Sequence, residues 1–258
     1  IKREVTKPRP GHADMAGAVK YNLFDIRNSL ERASARETAA RTAVGGLLDN
    51  LLTYFEIDII SHVVEIGHIK ADSTYSEFCD LKEKVIDSPL HCYDKDSERE
   101  MMQLIDQMKE SGDSLGGVVE IVTTPLPVGL GSHTTWKQRL DGELARALMS
   151  IPAIKGVEIG PAFENATKKG SEVHDEIYYA QDSGYYRQTN RAGGLEGGIT
   201  NGQPLVVRIA MKPIPTLYQP LQSVDIISKK PFAASVERSD VTAVPAAGVV
   251  GEAMVSYV

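Results

Sequence analysis

The 258-residue chain carries a formal charge of −7, and 42% of its residues are hydrophobic. A chain of this length can bury roughly 75% of its unfolded surface, which predicts one large domain or two closely packed ones. The acidic charge disfavours a nucleic-acid binder, because such proteins need a basic surface to displace counterions from phosphates. We therefore expect a globular protein whose basic clusters are local.

Cysteine usage and hydropathy indicate the compartment. Cys79 and Cys92 are too few for a disulfide framework and lack metal-ligand spacing. No apolar run approaches the ~20 residues that span a bilayer, and the basic opening segment has no signal-peptide core. We expect a cytoplasmic protein without a membrane partner. Because the chain begins at Ile1 and stops in an apolar segment at Val258, we also expect it to be part of a longer protein.

Two amphipathic helices are predicted in the first half of the chain. Ser34 and Glu37 fit a capping box at the start of the first helix. The apolar residues that follow recur every three or four positions and predict a stripe that packs on the core. They are Val44, Leu47, Leu48, Leu51, Leu52 and Phe55. A β-branched segment, DIISHVVEIGHI, comes next, and Ser97 and Glu100 suggest a cap for the second helix. Its apolar positions are Met101, Leu104, Ile105 and Met108.

The second half mixes strand and helix patterns without strict alternation. GGVVEIVTTPLP and PLVVRIAMKP are typical of strands, and leucines spaced four apart from Leu140 predict a helix between them. The closing segment from Ala243 predicts a buried helix, although Pro245 and Gly248 weaken the pattern. This order predicts an α+β architecture, with antiparallel sheets and helices packed between or upon them.

Three arginines surround the first predicted helix start, in the stretch RASARETAAR. A helix N-terminus offers unpaired N–H groups and partial positive charge, to which Arg32 and Arg36 add formal charge. Phosphate is the natural ligand of such a position. The alternative is an exposed helix start in which Glu31 and Glu37 pair with the arginines, and the local sequence leaves both interpretations open.

His12 follows a Pro-Gly turn in RPGHAD, where a loop can present an imidazole that exchanges a proton near neutral pH. The alternative is an ordinary surface or core histidine. That alternative applies to the other five histidines, since none pairs with Cys, Asp or Glu at a recognised metal spacing. They are His62, His68, His91, His133 and His174. We therefore expect no metal site.

Three further segments could contact a ligand. The glycines of NRAGGLEGGITNGQP permit close backbone approach to a ring or a phosphate, although glycine-rich turns are common. KPIPT places a rigid turn beside a lysine and a hydroxyl, or it is an ordinary strand exit. ERSD offers an arginine and a carboxylate, or it caps the closing helix. No Walker pattern or complete dinucleotide fingerprint accompanies them.

In combination and order, the chain's segments closely resemble the successive signatures of the chorismate synthase family. The matching segments are RPGHAD, RASARETAAR, GDSLGGVVE, GLGSHTTWKQRLDGELARALMSIPAIKGVEIG, GSEVHDE, NRAGGLEGGITNGQP, KPIPTLY and ERSDVTAVPAA. The resemblance covers nearly all of residues 1–258 as a single domain. The KPIPT and ERSD forms are similar to those of Gram-positive bacteria.

The resemblance implies a flavoprotein lyase of the shikimate pathway, which leads to aromatic amino acids. Members convert 5-enolpyruvylshikimate 3-phosphate to chorismate by an anti-1,4-elimination of phosphate. They require reduced FMN, whose N5 helps to remove the hydrogen at carbon six, although no net oxidation occurs. The resemblance also implies helices sandwiched between two antiparallel β-sheets, and a homotetramer. Without a dinucleotide fingerprint, we expect NADPH to act only indirectly, through a separate flavin reductase.

Site residues follow from the matching motifs. His12 matches the family histidine that protonates reduced flavin near N1 and O2, and Asp240 matches the aspartate proposed to work with N5 as a base. Arg36 is implied to face the substrate. The implied flavin-contact positions are Arg32, Ala33, Ser34, Pro152, Ala153, Gly197, Lys212, Pro213, Ile214, Pro215, Thr216 and Arg238. Arginine suits the phosphates because its planar fork offers paired donors.

The chain departs from the family pattern in several places. Ala33 stands where serine is frequent, Pro152 replaces a frequent asparagine, and Pro161-Ala162 interrupts a Gly-x-Gly-Phe pattern. The family's opening Ser-His-Gly motif and arginine-rich glycine segment are not found, and Ser61-His62-Val63 lies inside a strand-like run. We therefore expect that the N-terminal segment and the extreme C-terminus are missing from this chain. The alternatives are a catalytically incomplete fragment that binds flavin or phosphosugar, and an unrelated phosphosugar-binding module.

Overall fold

The computed structural model describes residues 4–234, 236 and 238–258. Its helices are α1 (Asp14–Tyr21), α2 (Arg27–Arg32), α3 (Thr38–Tyr54), α4 (Phe78–Ile86), α5 (Lys95–Ser111), α6 (Leu140–Met149), α7 (Ala162–Asn165), α8 (Gly170–Val173) and α9 (Val244–Tyr257). Its strands are β1 (Ile59–Ile66), β2 (Ile69–Lys70), β3 (Gly117–Pro125), β4 (Ile154–Ile159), β5 (Ile177–Ala180), β6 (Gly184–Arg187), β7 (Leu195–Glu196), β8 (Ile199–Thr200), β9 (Pro204–Met211), β10 (Gln222–Val224) and β11 (Pro231–Ala233). None of these helices is both long and apolar enough to cross a bilayer.

A five-stranded antiparallel sheet forms the centre of the fold, with the strand order β2-β1-β3-β9-β4. Successive side chains of a strand point to opposite faces, so β1, β3 and β9 each present two rows. One row packs on α9 in the main hydrophobic core, and the other contributes to a smaller core beneath α4. The remaining described strands form three two-stranded hairpins. The predicted α+β class with antiparallel sheets is confirmed.

Helix α9 lies directly on the central sheet. Gly251 makes this close approach possible, since a Cβ there would lie 2.6 Å from Cδ1 of Ile121. Pro245 is the second residue of the helix, where its missing N–H has no helical acceptor to lose. Seven of its 14 residues are buried, and the predicted closing helix is confirmed.

Helix α3 packs on α9 through a small residue rather than through its predicted apolar stripe. Gly45 is buried against Ala253, and an added Cβ would overlap that side chain. The predicted packing of the stripe on the core is wrong for most of its members: Val44, Leu47, Leu51 and Phe55 are 48 to 74% exposed. The two helices approach so closely that glycine, not leucine, fits between them.

The predicted capping box at Ser34 is only half correct. The Ser34 hydroxyl accepts a hydrogen bond from the Arg36 N–H at 3.4 Å, but it caps a 3₁₀ turn, and α3 itself begins at Thr38. The Glu37 carboxylate does not return to the cap, because it pairs with Arg41 one turn later at 3.0 Å.

The second predicted cap is three residues too late. Helix α5 begins at Lys95, and its cap is Asp94, whose carboxylate accepts a hydrogen bond from the Asp96 N–H at 3.1 Å. Ser97 instead donates to the Asp94 carboxylate at 2.5 Å. Aspartate and serine are both good cap residues, so local sequence alone does not choose between them.

Candidate functional site

Lys212, the first residue of the KPIPT turn after β9, joins two other predicted site segments. Its backbone N–H donates to the carbonyl of Ala153 at 3.0 Å, and its ammonium donates to the carbonyl of Gly11. Pro215 lies on the same glycine, since a Cβ at Gly11 would lie 3.2 Å from Cβ of Pro215. The KPIPT turn, the Pro152-Ala153 turn and the loop that carries His12 therefore meet at Lys212.

His12 is held in a hydrogen-bonded loop. Its Nδ1 lies 2.5 Å from Oδ1 of Asp14, whose Oδ2 accepts a hydrogen bond from Nε of Arg9 at 3.0 Å. Asp14 is fully buried at the start of α1. Burial alone raises the pKa of a carboxyl, but the hydrogen bonds from His12 and Arg9 outweigh it and hold the pKa of Asp14 well below its usual range. A charged carboxylate thus contacts one ring nitrogen of His12.

Helix α2 contacts this loop and ends at Arg32, the first residue of the predicted flavin-contact segment Arg32–Ser34. The Ser29 hydroxyl donates to the carbonyl of Ala13 at 3.2 Å, next to His12 in the chain. Gly17 of α1 faces the same serine, and a Cβ there would overlap the hydroxyl. Because Ser29 lies about one turn before Arg32, α2 delivers the arginine-bearing segment to the region of the His12 loop.

The other two arginines of the stretch RASARETAAR, Arg36 and Arg41, have different partners. Arg36 pairs with Glu31 at 3.4 Å with 76% of its side chain exposed, which is the salt-bridged arrangement considered as an alternative above. Arg41 donates to the Ser150 hydroxyl at 2.7 Å and to the Ser150 carbonyl at 3.3 Å. Arg41 thereby fastens α3 to the chain just before Pro152.

Ala153 has an unusual backbone conformation at a predicted flavin contact. Its φ of +69° lies in the left-handed region, which costs a residue other than glycine roughly 1–2 kcal/mol. In this conformation its carbonyl accepts the hydrogen bond from the Lys212 N–H. The contacts around Lys212 therefore maintain a strained turn.

A cleft of about 730 Å³ lies at the other end of the KPIPT turn. Thr216 and Asp240 both line it, together with Lys109, Asp113 and Thr242. The predicted base therefore shares a cleft with the last residue of the turn.

The loop before β3 holds both walls of this cleft. The Ser114 hydroxyl donates to the carbonyl of Ile214 at 2.7 Å, and the Leu115 N–H donates to the carbonyl of Val241 at 2.8 Å. In the adjoining ERSD motif Arg238 is exposed, whereas Glu237 lies outside the described residues.

Gly197 occupies the turn between β7 and β8, with φ of +62°. This hairpin contacts the start of α6: the Leu140 N–H donates to the carbonyl of Gly198 at 3.0 Å, and a Cβ at Gly198 would lie 2.8 Å from Cβ of Arg139. The described contacts thus connect Gly197 with α6 rather than with the His12 loop. Its flavin contact stays a prediction.

The partners of His12 were not predicted from the sequence, although the His-x-Asp spacing in RPGHAD was a visible signal. The interpretation of His62 as an ordinary histidine is confirmed. That imidazole is buried in β1 with Nε2 3.0 Å from Oε1 of Glu120, which also pairs with Arg208 at 2.6 Å. His62 is therefore a satisfied core histidine.

Comparison with known proteins identifies the family. Residues 2–258 match the family model described as chorismate synthase. The chain is 59% identical over 257 residues to the chorismate synthase of Desulforamulus reducens, and 54% identical over 258 residues to that of Bacillus velezensis. These alignments cover 99% and 100% of this chain and 66% of each relative, so the chain spans just under two thirds of their length.

A solved structure supports the same assignment. The crystal structure of a chorismate synthase superposes with a TM-score of 0.80 at 46% identity, covering 95% of this chain and 68% of that one. This likeness also confirms the fold expected from the motifs. The chain therefore belongs to the chorismate synthase family.

Proposed function

We propose that the chain takes part in the chorismate synthase reaction, the elimination of phosphate from 5-enolpyruvylshikimate 3-phosphate to give chorismate. The observation that carries this proposal is the meeting of three distant segments at Lys212. The His12 loop, the Ala153 turn and the KPIPT turn are each family motifs, and the hydrogen bonds of one lysine bring them together.

The residues at and near this meeting point are suited to a phosphorylated flavin. Arg32 provides a cation at the end of α2, the helix whose Ser29 contacts Ala13, and Thr216 provides a hydroxyl at the other end of the KPIPT turn. Pro213 and Pro215 restrict the backbone of the KPIPT turn. The left-handed conformation of Ala153 is an unusual one that the surrounding contacts must hold in place. When bound, reduced FMN supplies electron density to the substrate as phosphate leaves.

The chain's own groups have separate tasks in this proposal. His12 holds a proton beside the flavin ring, where it balances negative charge. Asp240, in the cleft with Thr216, provides a carboxylate that assists removal of the hydrogen at carbon six. Arg36 and Arg32 bind the anionic groups of substrate and cofactor.

The test is an anaerobic assay with chemically reduced FMN. On addition of 5-enolpyruvylshikimate 3-phosphate we expect a change in the flavin spectrum, and phosphate and chorismate in equal amounts. His12→Ala and Asp240→Ala should each lower turnover by roughly 10²–10⁴-fold while FMN affinity changes only a few-fold. His133→Ala, at an exposed histidine, is the matched control and should leave turnover unchanged.

A second function is binding without turnover. It is favoured by one fact, the 66% coverage of the curated relatives. In that case the assay would show FMN binding without phosphate release. Absence of both phosphate release and FMN binding would contradict both functions.

The resemblance also supports three expectations about the setting of the reaction. They are a homotetramer, a cytoplasmic location and a separate NADPH-dependent flavin reductase. The exposed apolar side chains on α3 support an assembly, because monomers seldom expose large apolar patches. Light scattering on the purified protein would measure the mass, and a mass of one chain at micromolar concentration would contradict the tetramer.

A further inference from the structure

We infer that Asp14 is a positioning residue for His12: it keeps a proton on Nδ1 and so leaves Nε2 as the nitrogen that exchanges the catalytic proton. The catalytic part of this inference rests on the function proposed for His12. The pairing of the two side chains is a property of the chain itself and is testable without cofactor or substrate.

The distance between the two groups decides which atom carries the proton. Nδ1 of His12 lies 2.5 Å from Oδ1 of Asp14, so a proton must lie between them. Without it, the lone pair of the ring nitrogen would face a negatively charged oxygen. Since Asp14 keeps its charge, the proton belongs to the imidazole, and Nδ1–H donates to the carboxylate.

One other group competes for Nδ1. Nη2 of Arg9 lies 3.2 Å from that atom and would donate to it if the imidazole were protonated on Nε2 only. Arg9 already serves the other carboxylate oxygen, since Nε and the backbone N–H donate to Oδ2 at 3.0 and 3.1 Å. The shorter contact of His12 with Asp14 favours the Nδ1–H form.

The burial of Asp14 makes this arrangement rigid. Its side chain is fully buried, whereas the His12 side chain is 15% exposed. A buried carboxylate is strongly destabilised unless it is paired, so Asp14 depends on His12 and Arg9 as partners. A further charged group near the loop is the Lys212 ammonium, which donates to the carbonyl of Gly11.

The backbone conformation explains how His12 and Asp14 can pair although they are only two residues apart in the chain. Gly11, with φ of +76°, turns the chain before His12, and Asp14 is the first residue of α1. The helix fixes the carboxylate and the turn directs the ring toward it. A carboxylate that orients an imidazole in this way selects one tautomer and stabilises the charged ring.

Nitrogen-15 NMR of the histidine-labelled 258-residue chain tests the tautomer directly. His12→Gln assigns the His12 signals by their loss. In the unsubstituted chain we expect the shift of a protonated nitrogen at Nδ1, and that of an unprotonated nitrogen at Nε2 when the ring is neutral. In Asp14→Asn the new amide can donate to Nδ1, so we expect the neutral ring to change to the Nε2–H form.

Asp25→Asn is the matched control. Asp25 also pairs with an arginine, Arg27, and accepts a backbone N–H, that of Val5 at 3.1 Å, but it does not contact a histidine in the described contacts. The His12 signals should not move in this variant. A merely structural role for Asp14 would lower the yield of folded protein without changing the tautomer.

Turnover separates the two proposals. Asp14→Asn should lower kcat by at least tenfold with FMN affinity retained within threefold, and Asp14→Glu should recover part of the loss. An Nε2–H tautomer in the unsubstituted chain overturns the inference, even if no variant folds. An unchanged tautomer in folded Asp14→Asn also overturns it. If the unsubstituted protein releases no phosphate, the proposed function fails, while the NMR spectra still decide the role of Asp14.

Discussion

Lys212 and Gly11, 201 residues apart in the chain, are joined by a hydrogen bond from the lysine ammonium to the glycine carbonyl. The backbone N–H of the same lysine binds Ala153, so one residue fixes the mutual position of three loops. Two prolines follow it and restrict the turn further. The lysine side chain therefore holds the His12 loop on the KPIPT turn, while its backbone N–H holds the Ala153 turn.

Lys212→Met keeps most of the side-chain length and removes the donor. We expect the free energy of unfolding to fall by about 1–3 kcal/mol, because the hydrogen bond involves a charged donor, and FMN affinity to fall at least tenfold. Urea unfolding and a flavin fluorescence titration measure the two effects.

Lys229→Met is the matched control for this substitution. The Lys229 ammonium also donates to a backbone carbonyl, that of Ile226 at 2.6 Å, but only within its own turn. It should change stability by less than about 0.5 kcal/mol and FMN affinity by less than threefold. Equal losses of FMN affinity in the two variants would contradict a special role for Lys212.

The central fold could be predicted from the sequence because its elements are buried. The β-branched segment at β1, the strands β3 and β9 and the apolar helix α9 carry patterns set by burial in the sheet and the main core. The α3 stripe has an equally clear helical period, yet most of it is exposed. Periodicity shows that a helix has an apolar face, but it does not show what covers that face.

The site was predictable only as a set of motifs. RPGHAD, KPIPT and the turn at Ala153 could be found by their resemblance to a family, but their meeting at Lys212 depends on contacts between distant parts of the chain. Asp14 was missed because burial makes a carboxylate important, and a sequence does not show burial directly. The start of α5 was misplaced because Asp94 and Ser97 are both good caps.

Neighbouring glycines in α3 provide a test of the helix packing. Gly45→Ala should destabilise the protein by roughly 2 kcal/mol or more, since the new methyl group would overlap Ala253 of α9. Gly46→Ala adds the same methyl group one residue later, where no described atom beyond the adjacent residues and the helix's own backbone lies within 4 Å. It should stabilise the protein by about 0.5–1 kcal/mol through helix propensity. Thermal and urea unfolding measure whether each substitution raises or lowers the stability. A loss of stability in Gly46→Ala would show that this face of α3 is covered.

Glu120 gives a prediction about pH. Burial raises the pKa of its carboxyl, but the hydrogen bond and charge of His62 and the charge of Arg208 outweigh burial and lower the pKa. A lowered carboxyl pKa stabilises the fold at all pH values above the unfolded pKa of about 4.3, and this stabilisation is lost as pH falls through the folded pKa. Glu120→Gln should cost about 3 kcal/mol at pH 7, with a smaller difference in acid.

Glu65→Gln is the control for Glu120→Gln on the same sheet. Glu65 pairs with Lys70 at 3.5 Å, and that lysine is 76% exposed. Such a pair contributes about 0–1 kcal/mol, so the variant should be nearly as stable as the unsubstituted protein across the pH range. Urea unfolding at several pH values makes the comparison, and a pH-independent loss in Glu120→Gln would indicate lost packing rather than lost charge.

Glu252 of α9 should respond to pH in the opposite direction. Its burial, reinforced by the charge of Asp49, raises the pKa of the carboxyl, while hydrogen bonds from the Ser61 hydroxyl and N–H, each at 2.6 Å, oppose the rise. The folded protein therefore takes up a proton at higher pH than the unfolded chain, so the charged form costs stability at neutral pH and the cost disappears as pH falls. Glu252→Gln removes the charge and keeps an acceptor for Ser61. We expect equal or higher stability at pH 7, by up to about 1 kcal/mol, with the advantage lost in acid.

Glu252→Ala distinguishes the effect of charge from that of hydrogen bonding. It leaves the Ser61 N–H without its carboxylate acceptor and should cost about 1–3 kcal/mol at every pH. Urea unfolding of the two variants between neutral and acidic pH measures the difference. If Glu252→Gln were as destabilised as Glu252→Ala at pH 7, the carboxylate charge itself would be stabilising, and the raised pKa would be wrong. Glu120 is buried within the central sheet and Glu252 is partly buried on α9 against it, and burial raises the pKa of both carboxyls. Only Glu120 has charged partners, His62 and Arg208, that outweigh burial, and these partners account for the opposite pH responses.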